Sequence, residues 1–149
     1  GVMESLDSGF LAGYPLVGLE VTLVDAEVNP ELSTEMAFRA AGAQAFREAV
    51  EQAQPTLLEP VMDLEVVAPE DFIGEVLGDL NARGARIQAM EPRVGGLQAM
   101  RAFAPLAKMF GYATDLRSAT QGRGTFTMEF HHYAPVEPAQ LDAILYGVG

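Results

Sequence analysis

Apolar residues recur along this chain with two different periods, and the switches between them mark its elements. Val2, Met3, Leu6 and Phe10 fall at helical spacing before AGYP breaks the pattern. In LVGLEVTLVDAEV, Val17, Leu19, Val21 and Leu23 alternate with Gly18, Glu20 and Thr22, which predicts a half-buried strand over Leu16–Val24. A cap at Ser33 or Thr34 opens a helical run through Met36, Phe38, Phe46 and Val50, and Pro55 ends it. One strand cannot make a sheet. Residues 1–55 therefore read as an incomplete α-β-α half of a domain.

A complete unit begins at Thr56. LLEPVMDLEVVAP alternates as a strand, and PEDFIGEVLGDLNARG is a helix with Pro69 and acids at its start and Gly84 at its end. ARIQAMEPRVGGLQAMRAFAP gives two strands joined at RVGG. LAKMFGYATDLRSAT opens as a short helix, GTFTMEFHHYAPV is a strand, and EPAQLDAILYGV is a last short helix. The order βαββαβ predicts an α+β fold, a ferredoxin-like four-stranded antiparallel sheet with two helices on one face. The expected domains are residues 1–55 and 56–149.

Composition narrows the function. At 149 residues, 49% of them hydrophobic, the chain can bury a core. It has no cysteine, which removes disulfides, thiolate catalysis and Cys-based zinc sites and fits a reducing compartment. No apolar run reaches the roughly 18–20 residues needed to span a bilayer, and no signal peptide is visible, so a cytoplasmic protein away from membranes is expected. The net charge of −12 disfavours non-specific binding to a polyanion. That charge is uneven, however. Arg117 and Arg123 stand close together with only Asp115 to oppose them locally, a basic spot on an acidic body.

The stretch GYATDLRSATQGRG, Gly111 to Gly124, carries that spot. It is no phosphate loop: GxxxxGK[ST] is missing, and Gly122 and Gly124 lead into a strand where a nucleotide fingerprint needs a helix. These glycines are expected to set a turn or bulge. Ser118 and Thr120 have no histidine or lysine nearby in sequence to activate them. His131 and His132, the two histidines of the chain, are adjacent on a strand and so are expected to point to opposite faces and not to share a metal. No catalytic constellation emerges, and no cofactor is expected in this chain.

Several long motifs resemble the end of translational GTPases of the elongation factor G type. They are STEMAFRAAGAQAFREAV, LLEPVMDLEVVAPEDFIGEVLGDLNARGARI, GLQAMRAFAPLAKMFGYATDLRS and GYATDLRSATQGRGTFTMEFHHYAPV, in the family's order. The resemblance implies that residues 56–149 are domain V and residues 1–55 the second half of domain IV, which is similar to ribosomal protein S5 domain 2. It places GTP and magnesium in a domain that this chain does not include, and makes the chain a non-catalytic, ribosome-facing part of a factor for translation elongation and translocation. The implied partner is ribosomal RNA near the stalk base and the sarcin–ricin loop. By motif, the implied contact residues are Arg117, Ser118, Gln121 and Arg123 in the TDLRSxTQGRG element and Arg83 at the GDLNxRxG helix end. The loop DAEVNPELST departs from the family's DGSxHxVDSS, with Glu27 and Glu31 where an RNA-facing tip lies. The residues alone leave an alternative: a stand-alone ferredoxin-like module that binds a small ligand or self-associates. A homodimer through the strand Leu16–Val24 is the expected form of self-association.

Overall fold

The computed structural model describes residues 1–147; Val148 and Gly149, the end of the expected second domain, lie outside the described residues. The chain divides into two compact units, one of Gly1–Leu57 together with the segment from Val136 onward, the other of Leu58–Pro135. The last helix groups with the first unit rather than with the sheet.

In the first unit, α1 (Val2–Ser8) is followed by a long segment with turns but neither helix nor strand, and then by α2 (Glu35–Gln52). Thr34 caps α2, its hydroxyl accepting from Ala37 N at 3.2 Å, as the sequence predicts. Phe46 and Val50 are buried, whereas Met36 and Phe38, also expected on the apolar face, are exposed. The final helix, α5 (Pro138–Tyr146), starts on a proline and ends at Gly147 in the left-handed region. The backbone of Val136 donates to Leu57 O at 2.9 Å, joining the two chain segments of this unit.

The strand expected over Leu16–Val24 forms no ladder. Its alternation is real, but a strand exists only through a hydrogen-bonded neighbour, and none is present among the described residues of this unit. Val17, Leu19, Val21, Leu23 and Val24 are left exposed. Between this segment and α2 lies a cavity of about 530 Å³, walled by Leu16, Leu19, Val21, Leu23, Phe46 and Val50 among others.

The second unit has the predicted order: β1 (Leu58–Pro69), α3 (Ile73–Ala82), β2 (Arg86–Arg93), β3 (Leu97–Pro105), α4 (Tyr112–Ala119) and β4 (Thr125–Pro135). The sheet order is β2-β3-β1-β4 and every neighbouring pair is antiparallel. Period-two alternation buries Met62, Leu64, Val66 and Ala68 of β1 beside Met100, Ala102 and Ala104 of β3. Val76 and Leu80 of α3, with Tyr112 and Leu116 of α4, cover that face at helical spacing. Gly84 ends α3 at φ 72°, where Ala85 N bonds Leu80 O at 2.9 Å and Gly84 N bonds Asn81 O at 2.9 Å.

Two details differ from the pattern read in the sequence. The short helix expected to open at LAKMF is a single 3-10 turn over Leu106–Lys108; the α-helix starts later, after Gly111 at φ 78°. In addition, β4 carries a bulge: Val61 pairs with His132 and Met62 with Phe130, so His131 has no partner on β1.

Candidate nucleic-acid interface

The basic spot is built on the exit from α4. Thr120, completely buried, closes the helix with its hydroxyl: Oγ1 donates to Leu116 O at 2.6 Å and accepts from Gly124 N at 2.8 Å. The chain between these residues turns back through two consecutive left-handed residues, Gln121 at φ 54° and Gly122 at φ 78°. Gly122 N donates to Arg117 O at 2.8 Å and Arg123 N to Thr120 O at 3.1 Å. Gly124 is glycine for lack of space: a Cβ there would stand 2.8 Å from Thr120 Oγ1 and 3.1 Å from Leu116 Cδ1. A left-handed Gln costs about 1 kcal/mol, which the four bonds of the turn offset.

The last turn of α4 carries Arg117 and Ser118 and the turn after it Gln121 and Arg123, all exposed. Among the described residues neither arginine forms an ion pair; the Arg123 guanidinium lies 5.9 Å from the centre of the Phe72 ring. Two cations, a hydroxyl and an amide on a hydrogen-bonded turn can donate to several phosphate oxygens at once.

Arg83 is placed differently. Its side chain is only 14% exposed and its donors are spent inside the unit. Nε donates to Asp79 Oδ2 at 3.0 Å, Nη1 to Lys108 O at 2.7 Å and to Phe110 O at 3.3 Å, and Nη2 to the Asp115 carboxylate. The guanidinium also packs over the Tyr112 ring, 5.2 Å from its centre. It thus ties the end of α3 to the 3-10 turn and to the first turn of α4. Asp115, the one acid set against Arg117 and Arg123 in the sequence, is held by Arg83. The basic turn is thereby left less opposed than the sequence suggests. Burial, and then the Asp79 charge, push the Tyr112 phenol well above the usual tyrosine range, with Arg83 pulling the other way. Its hydroxyl is buried without a partner among the described residues.

The tip that precedes α2 is closed by Asn29, whose Oδ1 accepts from Glu31 N at 2.9 Å and whose N donates to Ser33 Oγ at 2.7 Å. Glu27 and Glu31 are exposed beside it, so nothing basic gathers there.

Sequence reasoning misses three features. It reads Thr120 only as an unassisted hydroxyl, although the fourth-residue spacing from both Leu116 and Gly124 is what fastens the turn. Motif groups Arg83 with that turn, and nothing in its spacing reveals its fork. The two histidines, expected on opposite faces, are brought together by the bulge in β4, with their Nδ1 atoms 2.7 Å apart.

Comparisons with known proteins agree with this architecture. The chain superposes on a crystal structure of a protein from Thermus thermophilus with a TM-score of 0.83 and 37% sequence identity. The match covers 98% of this chain but 22% of that one, so this chain spans about a fifth of the length of the protein it resembles. Residues 1–54 match the family model described as elongation factor G, domain IV, and residues 56–144 match the elongation factor G C-terminus. With both models in series and together spanning almost every described residue, the chain belongs to the elongation factor G family.

Proposed function

We propose that this chain is the ribosome-facing, non-catalytic end of a cytoplasmic translational GTPase, and that the turn Arg117–Arg123 docks on phosphates of ribosomal RNA. GTP and magnesium belong, in this reading, to a domain outside these residues. The observation that carries it is the pair of exposed arginines on a turn fastened by Thr120, with Asp115 held by Arg83. The body of the protein is acidic, so a short basic patch confines binding to one orientation. Ser118 and Gln121 add neutral donors, and these position the contact without reading sequence. The stalk base and the sarcin–ricin loop are the expected surroundings.

The test is ribosome affinity against salt in the full-length factor. Arg117→Ala and Arg123→Ala are each expected to flatten the slope of log affinity on log salt by up to about one unit. Melting should stay within about 1 °C of the parent, as for surface substitutions. Early melting with unaltered ribosome affinity would make the turn purely structural.

A second reading, self-association of this chain, is favoured by one observation. The segment from Val17 to Val24 is unpaired and leaves Val17, Leu19, Val21, Leu23 and Val24 exposed. A second copy of the same segment would satisfy its backbone and cover those side chains.

A further inference from the structure

The face of the sheet opposite the helices carries a feature that the ribosomal reading does not use. Asp63 lies between Phe103 on one side and Glu129 on the other, and further along the strand His132 stands opposite Val61. The bulge adds His131 to the same side. Its ring packs on Phe103 at 4.4 Å between centroids, and the His132 ring meets Phe103 edge-on at 6.1 Å. The two Nδ1 atoms are 2.7 Å apart and both rings are exposed. One imidazole donates its Nδ1 proton and the other accepts it, so the two Nδ1 atoms are close neighbours, and a shift of that single proton to Nε2 leaves both with lone pairs.

We propose that His131 and His132 form a two-nitrogen chelate for a divalent transition ion of square or tetragonal preference, copper(II) ahead of nickel(II), with zinc(II) weakest. The order follows the general affinity of nitrogen sites for divalent ions, which peaks at copper(II), and two nitrogens with open positions suit tetragonal geometry, whereas zinc(II) favours three or four protein ligands. On binding, the Nδ1 proton of the donor ring is released and its Nε2 takes up a proton from water, so both Nδ1 atoms present lone pairs and each imidazole stays neutral. Among the described residues no group of three or more histidine, cysteine or carboxylate side chains could hold a metal ion. Asp63 is held by Arg101 at 2.8 Å. The remaining positions on the ion are therefore open to water or to an outside ligand. Phe103 is the positioning residue, keeping the His131 ring on the His132 side of the bulge.

The chain suits a direct test, because it has two histidines and no cysteine. Calorimetric titration of the 149-residue chain with copper(II) is expected to show one saturable site, with weaker nickel(II) and still weaker zinc(II) binding in parallel titrations. His131→Ala and His132→Ala should each lower copper affinity by roughly tenfold or more, and the double variant should bind about as weakly as the weaker single one. Circular dichroism checks that each variant folds. As a readout independent of affinity, copper(II) added below stoichiometry should broaden the amide resonances of Phe130–Tyr133, Val61 and Phe103 before those of α2. A site that survives in the double variant, broadening elsewhere first, or zinc(II) binding tighter than copper(II) would overturn the proposal.

Discussion

Truncating Arg83 to alanine separates a strut from a contact. The guanidinium bonds two backbone carbonyls and two carboxylates, and so links α3, the 3-10 turn and α4. A hydrogen bond from a charged donor contributes about 1.5–3 kcal/mol net. The bond to Lys108 O, at 2.7 Å, merits that range, whereas the one to Phe110 O is long at 3.3 Å and adds little. Asp79 and Asp115 are partly exposed, at 34% and 56%, so water screens both pairs. Each pair then adds about 0–1 kcal/mol. The sum is about 1.5–5 kcal/mol, and at about 4–8 °C per kcal/mol for a unit of this size the unit should melt at least roughly 6 °C lower. Differential scanning calorimetry of the chain measures this and follows the two units separately. Arg83→Lys keeps the charge but not the fork, so it should recover less than half of the loss. Ribosome binding in the full-length factor at a temperature where the variant remains folded should keep its salt slope. Should Arg83→Ala melt within about 2 °C of the parent while that slope falls by about one unit, the strut assignment is refuted and Arg83 is itself an RNA contact.

Two further outcomes are expected. Gly124→Ala pushes a Cβ into Thr120 and Leu116 and should cost about 1–3 kcal/mol, while Thr120→Val, which leaves Gly124 N buried without an acceptor, should cost a similar amount; chemical denaturation reads both, and either variant at full stability would dissolve the account of the turn. Leu19→Lys should weaken concentration-dependent self-association of the isolated chain in sedimentation velocity, and a parent chain that stays monomeric at high concentration would remove the second-copy reading.

Much of the sheet unit is legible in the sequence, because its elements carry their own signals. The alternation of Met62, Leu64, Val66 and Ala68 sets the buried face of β1, and Gly84 marks the stop of α3. The start of α4 is obscured because Met109 and Phe110 extend the apolar run, while the left-handed Gly111 shifts the true start to Tyr112. Leu16–Val24 shows the opposite limit. Its alternation reports a strand-forming preference, but pairing depends on a neighbour that periodicity cannot supply. At the candidate interface, four of the five residues named by motif are exposed along the last turn of α4 and the loop that follows it. Arg83 separates from them because the fate of its fork is decided by carbonyls at Lys108 and Phe110, distant in sequence. Strict alternation also predicts the histidines wrongly, since one inserted residue reverses the side to which its successors point.

The same inserted residue has a consequence for what the sheet refuses. With the order β2-β3-β1-β4, the outer strands are β2 and β4, and each is interrupted in the same two ways. On β4, His131 is bulged and Pro135 ends the strand; on β2, the pairing skips Gln88 and Pro92 lacks a donor. A straight incoming strand needs an even row of donors and acceptors, and neither rim offers one. Both margins of the sheet are thus blunted by local kinks against templated growth into fibrils.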